Sequence, residues 1–490
     1  MNTFGLDSCY LPLIGGEFGA ITTETIPAVN AATGEHLAEF TAGGAAEISA
    51  AVAAAKAAFP GWSRTRREER AALLNALADW VEANMARLAA IDAADIGRTV
   101  TEIMIDHQIA IGQYRFFASA ISTHNGWYNP IPGGWSIARR EPLGVIGQIV
   151  PWNVPAIMVA FKLAPALAAG NTVVLKPDEH ASLSTLELAK ALAEIFPAGV
   201  VNVVPGDGEV AGAALTAHPD VAKLAFTGSS EVGRIIAAAG ADRLVPVSLE
   251  LGGKSPNIVF PDIDDMDAVV GNAAFAATYC NGESCLAGTR LFVHDDIFDP
   301  FMDKLVTTFE SIPVGSPNDP ATRLGCLIDD RQGIKVLDYI ESGKSEAKLI
   351  TGGSRITVPG NEFGYFIAPT IFETTNDTRI AQEEIFGPVL SVIRWNEVDT
   401  MIDQANDVRY GLASGIYTSK LANAMYVAER LEAGNVWINQ YFNLVDGNPF
   451  GGYKESGIGR EYCAETLDMY THLKSITIAE QVPNPFAAAG

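Results

Sequence analysis

The sequence predicts an α/β protein built around a parallel, doubly wound sheet, and three features carry that expectation. Short β-branched runs alternate with helical stretches over residues 144–260, a second alternation fills 289–441, and two strand-like segments, 135–143 and 473–480, fit neither. Strands covered on both faces by crossover helices read as unbroken apolar runs, and the runs between 144 and 260 read that way.

Taken in order, residues 45–59 and 66–91 are Ala-rich, with apolar residues spaced three and four apart and charges between, the pattern of helices. The helical texture lasts to about Asn129. From Gly144 the run G-V-I-G-Q-I-V leads into a helix starting near Ala156, T-V-V-L-K-P into one after Ser182, and V-V-N-V-V-P-G into one from Glu209. K-L-A-F-T-G then leads into a helix from Ser230, and P-V-S-L-E-L-G-G is followed by N-I-V-F. In such a sheet ligands bind where strand C-termini meet helix N-termini, because free backbone amides there attract phosphate.

The second alternation comprises T-R-L-F-V-H-D, helices over 298–309 and 329–342, S-G-I-Y-T-S, a helix ending near Leu431, and N-V-W-I-N-Q-Y. It predicts a second α/β domain. The segments W-S-I-A-R-R-E-P-L and L-K-S-I-T-I-A-E alternate like exposed strands, and since exposed strands seek partners they are expected at an oligomer interface. The tail P-N-P-F-A-A-A-G is expected to be mobile.

The 490 residues carry 33 Lys plus Arg against 58 Asp plus Glu, a formal charge of −25, with 48% apolar and 19% charged residues. That composition supports a sizeable core, and the length suggests about three domains at roughly 150 residues each. The acidity repels phosphate backbones and anionic lipid heads, so neither nucleic acid nor membrane is an expected partner. The longest apolar stretch, 154–170, contains Lys162 and Pro165 and falls short of a membrane span. No basic residue precedes the short apolar stretch at the start, so no signal peptide is expected. Five cysteines, odd in number and without a C-x-x-C pair, argue for no disulfide framework and no metal, and point to a reducing cytoplasm.

Several motifs could carry chemistry. Gly206-Asp207-Gly208 with Gly212, and Phe226-Thr227-Gly228-Ser229 with Gly233, each follow a strand where phosphate could meet a helix start, although neither is a G-x-G-x-x-G fingerprint. Cys285 lies in Tyr279-Cys280-Asn281-Gly282-Glu283-Ser284-Cys285-Leu286-Ala287-Gly288. A lone cysteine is more often a buried small hydrophobe than a nucleophile. Its company alters that balance: Asn153 in Pro151-Trp152-Asn153-Val154-Pro155 ends the first strand, and Glu250 in Leu249-Glu250-Leu251-Gly252-Gly253-Lys254 ends the fifth. A thiol, an amide donor and a carboxylate thus reach domain edges together.

These motifs, with Glu384-Ile385-Phe386-Gly387-Pro388 and Pro449-Phe450-Gly451-Gly452-Tyr453-Lys454, resemble the aldehyde dehydrogenase superfamily in order and spacing, over about residues 14–478. The resemblance implies an α/β fold with three parts: a Rossmann-like cofactor-binding domain (1–123 and 143–252), a second α/β catalytic domain (253–455), and a small β oligomerisation arm with the C-terminal segment (124–142 and 456–484). It makes Cys285 the catalytic thiol, Glu250 the general base and Asn153 the oxyanion amide. It places the cofactor at Ile149, Trp152, Lys176, Glu179, Gly208, Gly212, Phe226, Ser229, Val232, Leu251, Gln332, Glu384 and Phe386.

The implied chemistry suits these residue types. Hydride leaves an aldehyde only from a tetrahedral adduct, which a thiolate at Cys285 would make, and Asn153 with the Cys285 N–H would hold its oxyanion. The thioester that follows needs water, whose proton Glu250 would take, and partial burial is expected for an effective base. Glu179, after the second strand, would accept both ribose hydroxyls and repel a 2′-phosphate, which favours NAD over NADP. Glu384 would hold the nicotinamide ribose and Phe386 would pack on the ring.

The family's substrate tunnel falls on Val154, Ile157, Met158, Phe161, Tyr279, Leu286 and Leu444. None is basic, so a neutral, apolar aldehyde is expected rather than an anionic semialdehyde. Homodimers or homotetramers are implied. One departure is Cys280, where the family often has Asn: it raises an oxidative Cys280–Cys285 link as an alternative to packing. Three other readings stay open. A CoA-acylating enzyme would find Glu250 a liability, a thiol hydrolase would want a His these motifs lack, and a non-catalytic paralogue would not need Cys285, Glu250 and Asn153 together.

Overall fold

A computed structural model describes residues 4–482, so the segment 483–490 and its expected mobility lie outside the described residues. Five strands, Val145–Ile149, Thr172–Lys176, Val201–Val203, Val221–Thr227 and Val247–Glu250, form the parallel centre of an eight-stranded sheet. Their spatial order is fifth, fourth, first, second, third. Because the winding reverses between the first and fourth strands, a crevice opens at their C-terminal ends, where Ile149 and Phe226 are register partners.

Short pieces that period-based reading missed complete both edges. Leu13–Ile14 and Glu17–Phe18 add an antiparallel hairpin beyond the third strand, and Gly457–Ile458 pairs antiparallel with the fifth, Ile458 opposite Leu249 and Gly457 opposite Glu250. Two residues are too few to show a period. Gly457–Ile458 therefore lies in the first sheet, not in the arm or a separate C-terminal segment as residues 456–484 were expected to lie. The helical turn Ala464–Tyr470 likewise buries Leu467 and Tyr470 in the core around the helix Pro155–Ala169.

The expected helices form as Ala45–Trp62 and Arg67–Ile96, followed by Val100–Ala120. Ahead of them the supposedly helical region holds a small sheet of Cys9–Tyr10, His36–Thr41 and Thr25–Val29. Gly97, left-handed at φ 75°, ends the long helix and turns the next residue, Arg98, into the interior. In Pro155–Ala169 the lysine that interrupts the apolar run is fully buried and forms a 2.5 Å ion pair with Glu461. Among the described residues no helix is long and apolar enough to cross a membrane.

The second sheet has seven strands in the order Lys348–Thr351, Thr370–Glu373, Val389–Trp395, Arg290–His294, Pro256–Val259, Ala413–Tyr417, Asn435–Ile438. All are parallel except the edge strand Lys348–Thr351. N-I-V-F thus opens this sheet as a central strand and does not close the first, because the buried link Leu251–Ser255 carries the chain across.

The two segments outside both cores pair with each other. Gly134–Pro142 runs antiparallel to Thr471–Ala479 along its whole length, Ile137 opposite Ile476, and Trp127–Ile131 adds a third strand on its other side. Thr471–Ala479 is an edge strand with mostly exposed side chains, Leu473 and Ile476 among them.

Candidate active site

The cysteine loop begins where the helix Met266–Thr278 ends. Cys280 and Asn281 both take left-handed backbone at φ 57°, and Gly282 follows at φ 75°. Non-glycine residues held there cost on the order of 1 kcal/mol or more each, so the surroundings must impose the turn. Asn281 does so: its Nδ2 donates to the carbonyls of Cys326 (2.7 Å) and Gly97 (3.2 Å), and its Oδ1 accepts from Gly325 N (2.8 Å). A Cβ at Gly282 would stand 2.2 Å from the Gly387 carbonyl carbon, so glycine lets the turn lie against E-I-F-G-P. Cys280 is fully buried with its N–H on Glu102, and burial pushes its thiol up. Its thiol and that of Cys285 are both free, and Cys280 lies in the interior.

Cys285 emerges partly exposed from this loop, ahead of the strand Arg290–His294. Burial first, then the Glu384 and Glu250 carboxylates, push its thiol up to about 12. Asn153, between the first strand and the helix Pro155–Ala169, donates from Nδ2 to the carbonyl of Glu283 (2.7 Å), two residues before Cys285. A primary amide has a second N–H, which stays available.

Glu250 ends the fifth strand, 3% exposed, and neither carboxylate oxygen has a hydrogen-bond partner among the described residues. Burial, reinforced by Glu461 and opposed by Lys162 and Arg460, holds its carboxyl well above the usual range. Gly451 of P-F-G-G-Y-K passes so close that a Cβ there would stand 3.0 Å from Glu250 Oε1. The Lys162–Glu461 pair behind the base was legible only as a lysine out of place in an apolar run.

At the far end of the crevice Lys176 Nζ lies 2.6 Å from Glu179 Oε2, and Gly208 N donates to Glu179 Oε1 (3.3 Å). Glycines leave the space between them open: a Cβ at 208 would sit 3.8 Å from Glu179 Oε1 and 4.0 Å from Lys176 Nζ, and one at 212 would sit 3.9 Å from Ile149 Cδ1. The helix expected from Glu209 begins as a wide turn, Gly208–Gly212, and continues as the α-helix Ala213–Ala217. Ser229 caps the helix Ser230–Arg243 by accepting from Val232 N. Phe226 and Leu251 are buried at the crevice floor, while Val232 is half-exposed.

The other expected cofactor residues cluster nearer the cysteine. Trp152 meets Phe386 edge to face with centroids 5.4 Å apart. Phe386 is left-handed at φ 61°, and its carbonyl accepts from Gln332 Nε2 (2.6 Å). Glu384 accepts from Gly253 N (2.9 Å), and burial raises its carboxyl. A carboxylate and an ammonium side by side for ribose hydroxyls, and a glycine-cleared cradle beside them, fit a dinucleotide.

Val154, Ile157, Met158, Leu286 and Leu444 pack in the same apolar cluster as Cys285. Phe161 is fully buried behind them against Tyr462 (4.9 Å) and Phe450 (5.7 Å). Tyr279 stacks at 4.8 Å on Phe442, which in turn meets Tyr441 and Phe275. Sequence reading missed this aromatic group; its one signal was the clustering of aromatics at the end of N-V-W-I-N-Q-Y-F.

Residues 19–476 match the model of the aldehyde dehydrogenase family. The chain is 44% identical to the mitochondrial aldehyde dehydrogenase of Mesocricetus auratus over 468 residues, 94% of this chain and 93% of the relative. An aldehyde dehydrogenase from Bacillus cereus, solved as its NAD+ complex, superposes with TM-score 0.94 at 40% identity, covering 97% of this chain and 98% of that one. An indole-3-acetaldehyde dehydrogenase from P. syringae, solved with NAD+ and IAA, gives TM-score 0.93 at 38% identity, covering 97% of each chain.

Proposed function

From the premise that this chain belongs to the aldehyde dehydrogenase family, and oxidises aldehydes to acids with NAD, we propose that Cys285, Asn153 and Glu250 divide the reaction among them. The observation that carries this reading is Glu250: a buried carboxyl without a hydrogen-bond partner among the described residues, within electrostatic reach of the Cys285 thiol.

Cys285 loses its thiol proton to solvent, its sulfur attacks the aldehyde carbon as the thiolate, and the carbonyl oxygen becomes an oxyanion. The second N–H of Asn153 and the Cys285 backbone N–H hold that charge, each worth roughly 2.7–4 kcal/mol in the transition state. NAD, when bound, supplies the hydride acceptor. What remains on Cys285 is a thioester. Glu250 removes a proton from the water that attacks it, and the acid departs as the thiol is restored. Burial makes Glu250 basic enough for this, and a hydrolytic base so placed argues against release to CoA.

Lys176 and Glu179 would hold the adenosine ribose, with Gly208, Gly212 and Ser229 near the pyrophosphate and Ile149, Phe226, Val232 and Leu251 lining the floor. Glu384, Gln332, Phe386 and Trp152 would hold the nicotinamide end. Glu179→Ser removes the negative charge a 2′-phosphate would meet, so NADP use should rise relative to NAD in steady-state assays. Equal turnover of the unmutated enzyme with both cofactors would refute the assignment.

The substrate we favour is a neutral, apolar aldehyde. The lining is aliphatic and aromatic, and Arg98, whose guanidinium lies 5.5 Å from the Tyr279 ring centroid, is already engaged by carboxylates. The P. syringae relative, named for an indole aldehyde, is consistent with such a class. NADH formation across an aldehyde panel tests this, and a preference for an anionic semialdehyde would contradict it.

The arm is our candidate for assembly into homodimers or homotetramers, since Thr471–Ala479 leaves an unpaired edge beside exposed Leu473 and Ile476. Light scattering should give a dimer or tetramer at micromolar concentration; a stable monomer would be the contrary result. Five free cysteines suit a reducing cytoplasm.

A further inference from the structure

We propose that Arg98 is a positioning residue that fixes the oxyanion amide of Asn153 relative to the cysteine loop, an inference that rests on the role given to Asn153 above. Arg98 is fully buried just past the end of the helix Arg67–Ile96. Its Nη1 donates to the backbone carbonyl of Asn153 (2.9 Å) and to Asp106 Oδ2. Asp106 Oδ1 accepts from the Tyr279 hydroxyl (3.0 Å). Glu102 Oε2 lies 3.7 Å from Arg98 Nη2 and accepts from Cys280 N (3.0 Å).

One cation therefore grips Asn153 directly and, through two carboxylates, the two residues that open the turn to Cys285. The neighbouring residue adds to the grip, since the Gly97 carbonyl accepts from Asn281 Nδ2. Asn153 belongs to the first sheet's crevice and the cysteine loop to the second domain, so Arg98 sets the spacing between them. Both hydrogen bonds leave from Nη1, while Nε and Nη2 have no hydrogen-bond partner among the described residues and Nη2 meets Glu102 only as a charge; a lysine ammonium, which ends short of the Nη1 position, would not serve the carbonyl and both carboxylates together. Displacement of a reacting group by about 1 Å can cost on the order of 10²-fold in rate.

Arg98→Lys should accordingly lower kcat by about 10- to 100-fold while NAD affinity and melting temperature stay near those of the parent. The rate at which iodoacetamide alkylates Cys285 should also be kept, because that displacement forms no oxyanion. Asp106→Asn, an isosteric change, should act in the same direction, and it serves if Arg98→Lys fails to fold. The deciding measurement is a double-mutant cycle. Asn153→Ala should cost about 10²- to 10³-fold by itself, and Arg98→Lys added to it should cost less than a further twofold, because the amide it positions is gone. Full additivity, or a parallel fall in alkylation, would overturn the inference while leaving the role of Asn153 intact. An unimpaired Asn153→Ala enzyme would overturn both.

Discussion

Cys285→Ala should abolish aldehyde oxidation while leaving NAD binding intact. On the role proposed for it the thiol forms the covalent adduct, and without it hydride has no tetrahedral carbon to leave. The residues assigned to the adenosine half stand at and after strand ends of the first sheet, while the cysteine loop precedes a strand of the second, so cofactor affinity should be kept. Equilibrium NAD binding, followed by fluorescence or calorimetry, and NADH formation check the two halves separately. Residual turnover within about tenfold of the parent would remove Cys285 from the nucleophile's place.

Glu250→Gln should separate the two half-reactions. If Glu250 serves deacylation, the variant releases one NADH per site in a burst and then stalls, with steady-state turnover down about 10²- to 10⁴-fold. A small thiol such as CoA should partly rescue it by accepting the acyl group. Because burial holds the Glu250 carboxyl well above the usual range, the fraction ionised in the parent grows with pH over a range shifted upward from that of an ordinary carboxylate. Where deacylation limits the rate, turnover should therefore climb with pH, and Glu250→Gln should flatten that limb. Absence of any burst would mean Glu250 acts earlier, by deprotonating Cys285, whose own thiol is pushed up to about 12.

The parallel core strands were legible because each is a continuous apolar run of several residues ending at a turn, as in T-V-V-L-K-P. Short edge strands such as Gly457–Ile458 were not, since their place is set by a partner far away in sequence. The strand Val389–Trp395 has the apolar texture of the core strands and was not singled out in the sequence. Cys285, Glu250 and Asn153 stood out as motifs of unlike chemistry at strand ends. Arg98 and Glu461 did not, because a buried charge looks like any surface charge until its partners are known.

The fifth strand's pairing with Gly457–Ile458 also bears on how the polypeptide is made. At about 5–20 residues per second, some ten to forty seconds separate the synthesis of Glu250 from that of the segment that closes its edge. Through that interval the fifth strand is paired only on the side of the fourth, its outer edge at Leu249 waits for Ile458, and neither Glu461 nor the glycine loop yet lies over the carboxyl. A nascent chain can thus complete the crevice for the cofactor before its base has the dry environment that makes it useful. Ribosome-bound intermediates should bind dinucleotide before they can turn over aldehyde.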